Sequence, residues 1–136
     1  MKKIKFSVFL LLIFLNQMVL SESANIGLKI NHIQFVGSHN SYKQAMPEGF
    51  IKQLMKVNPN LVESLEYEHV PLTEQLDLGI RKLELDVFYV ADEGQFTVGH
   101  VQQIDMNSNC STLRICLNQI IAWSQNNPTH VPIWIS

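Results

Sequence analysis

The chain has 136 residues, 46% of them hydrophobic and 16% charged, and a formal net charge of −2. That length admits one small core. It carries no clustered Lys and Arg, which argues against electrostatic binding of nucleic acid, and an anionic lipid surface would exert no long-range pull on it.

Lys2, Lys3 and Lys5 precede a nearly unbroken apolar run, Phe6 to Leu15, and the polar, small-residue stretch Ser21-Glu22-Ser23-Ala24 follows. This is the pattern of a secretory signal peptide over residues 1–23, and the run is shorter than the ~20 residues a membrane-spanning helix needs. Its removal leaves seven basic and eleven acidic residues, a net charge of −4 over residues 24–136. The expected location is therefore secreted or extracytoplasmic, with no transmembrane segment in the mature chain. Two cysteines, Cys110 and Cys116, then read as a structural disulfide, worth roughly 2 kcal/mol for so short a loop. Their spacing matches no common zinc pattern.

A first strand is expected over Ile30 to Ser38, running into Gly37-Ser38-His39. Pro47 can open a helix whose apolar face is Phe50, Ile51, Leu54, Met55 and Val57. Asn58-Pro59-Asn60 breaks it. Leu61 to Glu68 is open between loop and short helix. Pro71 to Leu78 is a helix, with Gly79 where a left-handed residue is wanted. Arg81 to Tyr89 is a second strand, with Leu83, Leu85 and Val87 on one face and Lys82, Glu84, Asp86 and Phe88 on the other. Asp92-Glu93-Gly94 is a turn into a third strand, Gln95 to His100. Leu113 to about Asn126 is an amphipathic helix capped by Ser111 or Asn109, and Val131 to Ser136 begins a buried strand. Long crossovers imply parallel pairing, and the alternation with helices implies an α/β fold.

The chemistry concentrates in three pieces: Gly37-Ser38-His39-Asn40-Ser41-Tyr42, Gly79-Ile80-Arg81-Lys82-Leu83-Glu84-Leu85-Asp86-Val87, and Val98-Gly99-His100. Glu84 and Asp86 share a strand face, where two carboxylates repel unless a cation sits between them. A hard ion such as Ca2+ or Mg2+ does this through oxygen ligands. A solvated face bearing ordinary acids is the plain alternative. His39 can take a proton, and Asn40 offers an amide oxygen, although both residue types also shape polar turns. His100, after Gly99, is the natural second member of an acid–base pair. Two histidines, two carboxylates and an amide suit cleavage of a phosphodiester. His32, His69 and His130 read as structural or solvent-exposed.

These motifs resemble the X-region of phosphatidylinositol-specific phospholipase C, more closely its secreted, calcium-dependent bacterial branch within the phospholipase C-like phosphodiesterase superfamily. The resemblance includes the Asn127-Pro128-x-His130-x-Pro132-Ile133 approach to a strand. It implies a distorted TIM-like (β/α)8 barrel, of which residues 24–136 would be the N-terminal half. It implies His39 as general base and His100 as general acid. Asn40, Glu84 and Asp86 would be ligands to Ca2+. The substrate would be a phosphatidylinositol-type lipid at a membrane surface, cleaved by a monomer to diacylglycerol and a cyclic inositol phosphate. The family's metal site has a further acidic ligand beyond the strand that begins at Val131. The sequence therefore reads as a fragment of a longer protein, inactive by itself.

Two other readings compete. Glycerophosphodiester phosphodiesterases share the barrel, the Glu-x-Asp strand and a later histidine. They open with His-Arg-Gly, however, and follow the later histidine with Asp; here the opening is Ser-His-Asn and His100 precedes Val101. A non-catalytic secreted lipid-binding module could keep the same scaffold, since fold does not imply activity. Retention of both His39 and His100 argues against it.

Overall fold

The computed structural model describes residues 29–136, so the signal-peptide reading falls outside the described residues. The chain divides into two units, 1–34 and 35–136. In the first, the described residues form one 3-10 turn, Ile30–His32. The expected long first strand is therefore confined to β1, Gly37–Ser38.

The second unit continues with helices α1 (Glu48–Val57), α2 (Pro59–Leu65) and α3 (Leu72–Asp77), and strands β2 (Lys82–Leu83), β3 (Val87–Val90) and β4 (Gln95–Val98). Helix α4 (Leu113–Asn126) and strand β5 (Trp134–Ile135) complete it. Strands β1, β2 and β5 form a parallel sheet in that order, with Gly37 opposite Lys82 and Lys82 opposite Trp134. This is a mixed α/β arrangement with parallel strands joined through helices, as the alternation of elements requires. Among the described residues no helix is long and apolar enough to cross a membrane.

The expected strand Arg81 to Tyr89 is two strands. Beyond Leu83 only single backbone bonds hold the chain to its parallel neighbours, the Ser41 amide to Glu84 O and the Leu85 amide to Ser136 O, each at 3.0 Å, and from Val87 it pairs antiparallel with β4, Val87 opposite Val98. Glu84, Leu85 and Asp86 form the link between them. The tight turn through Asp92-Glu93-Gly94 makes the pairing antiparallel, since a short loop can only return the chain alongside itself. Leu83 and Leu85 are buried as expected, at 0% and 6% exposure, but Val87, expected on the same inward face, is 42% exposed, so the alternation ends at Leu85.

Helix α3 packs on α4 over the sheet. Leu72 and Leu76 from α3, Leu83 from β2 and Cys116, Ile120 and Trp123 from α4 share one core. Each fully buried leucine contributes about 2 kcal/mol. Trp123 Nε1 donates to Asp77 Oδ1 at 2.6 Å, which satisfies the indole at the edge of that core. Gly79 has φ +96, the left-handed conformation that ends α3. Thr112, rather than Ser111 or Asn109, caps α4, its hydroxyl accepting the Ile115 amide. The Cys110–Cys116 disulfide closes across that cap. Helix α1 differs from expectation in burying none of its residues: Phe50 and Met55 stay exposed, and it packs along α2.

Candidate functional site

β1 and β2 run parallel, and the residues that follow each one emerge at the same edge. This is the carboxyl end of the sheet, where side chains from several strands meet in parallel α/β folds. His39 and Asn40 follow β1; Glu84 and Asp86 follow β2. The turn after β1 is braced from three sides. The Ser41 amide donates to Glu84 O at 3.0 Å, and the Ser41 hydroxyl accepts the Glu84 amide at 2.8 Å. A side chain thus continues the ladder where the backbone turns away. Gln75 of α3 donates to Ser41 O and accepts from the Ser38 hydroxyl, each at 2.6 Å. In this frame Asn40 adopts φ +50, a conformation open to asparagine more than to most residues.

Asn40 is buried, at 1% exposure, and its amide is oriented by two tyrosines. Its Nδ2 donates to the Tyr67 hydroxyl at 2.6 Å, which turns Oδ1 toward Tyr42. The Tyr42 hydroxyl lies 3.2 Å from Asn40 Oδ1 and 2.9 Å from Asp86 Oδ2. An amide oxygen and a carboxylate oxygen from two strand ends therefore flank one phenol. Burial, reinforced by the hydrogen bond to Asp86, raises the Tyr42 phenol well above its ordinary 10.0 and keeps it a neutral donor.

Glu84 lies beside His39, its Oε2 3.7 Å from His39 Nε2. The His39 side chain is 73% exposed, so its ring is open to a ligand. His100 follows β4 and sits across Tyr67, with ring centroids 6.4 Å apart. Its Nδ1 is 3.1 Å from Asp105 Oδ2. Glu84 thus meets His39, Asn40 follows His39 in the chain and meets Tyr67, Tyr67 flanks His100, and Tyr42 joins Asn40 to Asp86. All five residues singled out in the sequence lie in one cluster.

Tyr42, Lys43, Tyr67 and Asp105, to which the motifs assign no role, hold the cluster together. Tyr42 stands inside the Ser-His-Asn-Ser-Tyr motif, and that was the one available signal. Lys43 and Asp105 form an ion pair at 3.1 Å with neither side chain exposed. His69 serves structure, as expected: its Nε2 meets His39 O at 2.8 Å. His130 does too, against the Ser124 hydroxyl and the Trp123 ring.

The donor chemistry fits a hard cation. Asn40 Oδ1, Glu84 and Asp86 present only oxygen, the preference of Ca2+, and the Tyr67 contact aims the amide oxygen rather than the amide nitrogen at the Asp86 side. Among the described residues no group of three His, Cys, Asp or Glu side chains converges on a metal position. The candidate set is two carboxylates completed by an amide.

A family model described as phosphoinositide phospholipase C, Ca2+-dependent, matches residues 28–99 and 92–136. No curated protein and no solved structure matches the chain. The family match contains every element of the cluster, from His39 and Asn40 through Glu84 and Asp86 to His100 and Asp105. The chain belongs to the Ca2+-dependent phosphoinositide phospholipase C family.

Proposed function

We propose that this protein cleaves the phosphodiester of phosphatidylinositol-type lipids by internal attack, releasing diacylglycerol and a cyclic inositol phosphate. The observation that carries the reading is the convergence on Asn40. Its side chain links Tyr42 and Asp86 on one side and Tyr67, beside His100, on the other, while the open ring of His39 adjoins it in the chain. Two imidazoles near oxygen-bearing side chains suit an acid–base cleavage of a phosphodiester.

His39 is the general base. Its exposed ring removes the proton of the inositol 2-hydroxyl, and the freed oxygen attacks phosphorus. Glu84, 3.7 Å away, orients that ring and offsets the positive charge it acquires. His100 is the general acid. It gives a proton to the diacylglycerol oxygen as the phosphorus–oxygen bond breaks, so lipid leaves as a neutral alcohol and the phosphate closes into a ring. Asn40, Glu84 and Asp86 would hold Ca2+, which when bound supplies positive charge beside the phosphoryl oxygens and the attacking hydroxyl. Three protein oxygens leave room in a shell of six to eight for water, further protein ligands and substrate.

The parallel order β1, β2, β5, with this cluster at its carboxyl end, supports a (β/α)8-type barrel. The signal-peptide pattern and the Cys110–Cys116 pair support a secreted or extracytoplasmic location. The substitutions His39→Ala and His100→Ala in the full-length protein test the roles. Each is expected to lower turnover of phosphatidylinositol vesicles by about 10²–10⁴-fold while leaving the fold intact. Undiminished turnover in either variant removes that histidine from the mechanism.

A further inference from the structure

The Lys43–Asp105 pair is unusual in being fully buried, at 3.1 Å and with no side-chain exposure on either partner. Burial of two charges is costly, and apolar residues of like volume often stabilise as well, so such a pair is weak evidence of a purely structural role. Lys43 is nevertheless fully satisfied. Besides Asp105 its ammonium donates to Tyr67 O at 3.1 Å and to Gln44 O at 3.3 Å, which uses its three protons, and it lies 4.7 Å from the centre of the Tyr67 ring. Asp105 is not: its Oδ1 is buried without a partner among the described residues, while its Oδ2 serves both Lys43 and His100 Nδ1, each at 3.1 Å. A carboxylate used so unevenly is placed for its neighbour rather than for itself.

The loop after His100 is built to bring this about. The amides of His100 and Val101 both donate to Asp105 O, at 2.9 and 3.0 Å, and the Asp105 amide returns a bond to Val101 O at 2.8 Å. Gln103, at φ +64, makes the reversal. The chain thus folds back within five residues and sets a carboxylate against the ring of the histidine that began the loop.

We propose that Asp105, anchored by Lys43, is the positioning residue for His100. This rests on the general-acid role given to His100 above. A carboxylate only accepts, so it fixes a proton on Nδ1 and leaves Nε2 as the nitrogen that meets substrate. The step balances simply. The imidazolium loses its Nε2 proton to the departing diacylglycerol oxygen, becomes neutral, and keeps the Nδ1 proton on its bond to Asp105. Tyr67 flanks the ring and limits its rotation.

The test needs no substrate in its first arm. In ¹⁵N NMR spectra of the full-length protein, neutral His100 is expected as the Nδ1–H tautomer. Asp105→Ala, which removes the acceptor facing Nδ1, is expected to shift it toward Nε2–H. An Nε2–H tautomer in the wild type overturns the proposal, whatever the protein's activity and whether or not the variant folds. The second arm is kinetic. Asp105→Ala should lower kcat by about 10²-fold with KM little changed, and should cost nothing further in a His100→Ala background. Equal losses in both backgrounds would mean that Asp105 acts on the fold and not on His100, and would overturn the proposal.

Discussion

Tyr42 and Asp86, 44 residues apart in sequence, meet at 2.9 Å between the phenol hydroxyl and Oδ2. The same hydroxyl reaches Asn40 Oδ1, so one buried phenol ties the turn after β1 to the link after β2. The sheet brings the two strand ends together, and Tyr42 sets where their oxygens point.

Removal of that hydroxyl should be felt in stability and in its dependence on pH. Tyr42→Phe leaves Asn40 Oδ1 and Asp86 Oδ2 without their shared donor, at a cost of about 1–2 kcal/mol in urea unfolding. The native phenol is raised above the ordinary 10.0 by burial and by Asp86. Its contribution is therefore complete below that value and is lost as pH rises past it, because the unfolded chain releases a proton that the native state retains. With a calcium chelator present, wild type should lose stability more steeply above pH 10 than Tyr42→Phe. Parallel alkaline limbs would contradict this.

Asn40 has two separable duties, a left-handed backbone at φ +50 and an amide oxygen. Asn40→Ala gives up both, and the backbone strain alone costs about 1–2 kcal/mol. Asn40→Gly removes that strain but not the loss of the amide. The glycine variant should melt above the alanine variant. Both should lose at least about tenfold in Ca2+ affinity by calorimetry, since even outer-shell partners of metal sites are worth about 10–100-fold. Calcium binding as tight as wild type in Asn40→Gly would exclude Asn40 as a ligand.

Gly99 sits between β4 and His100, and its amide donates to Asp86 O at 3.2 Å. A Cβ there would lie 2.6 Å from Met106 Sδ and 3.0 Å from Met106 Cα. The thioether can move, but the backbone next to Asp105 must shift as well. Gly99→Ala should destabilise by about 1–3 kcal/mol and lower turnover through the displaced loop. Calorimetry and vesicle assays on one preparation check both effects.

The Cys110–Cys116 bridge spans the cap of α4, and Cys116 lies in the core. Its six-residue separation predicts only about 2 kcal/mol of stabilisation from chain entropy. Cys110→Ser with Cys116→Ser, or mild reduction, should lower the melting temperature without abolishing folding. Complete unfolding would show that the bridge is essential to the core.

Much of this arrangement was legible in the sequence because it rests on short-range rules. Gly79 ends its helix, Leu83 and Leu85 face inward, and the hairpin turn lies at Asp92-Glu93-Gly94. The break after Leu83 was not legible. Residues 81–89 have unbroken strand character, and only the choice of neighbour, β5 for one part and β4 for the other, divides them. Lys43 and Asp105 were hidden for a related reason: charged residues are read as solvated, and their burial depends on a partner 62 positions away that no local pattern marks. His39, Asn40, Glu84, Asp86 and His100 were visible as a set through the family motif. Their orientation by Tyr42 and Tyr67 was not.

The most direct test of the central claim is phosphorus NMR of phosphatidylinositol vesicles incubated with the full-length protein, in calcium and in a chelator. A cyclic inositol phosphate resonance that appears only with calcium is the expected result. Release of glycerol phosphate from a deacylated phosphodiester with no cyclic product, or turnover indifferent to the chelator, would contradict it.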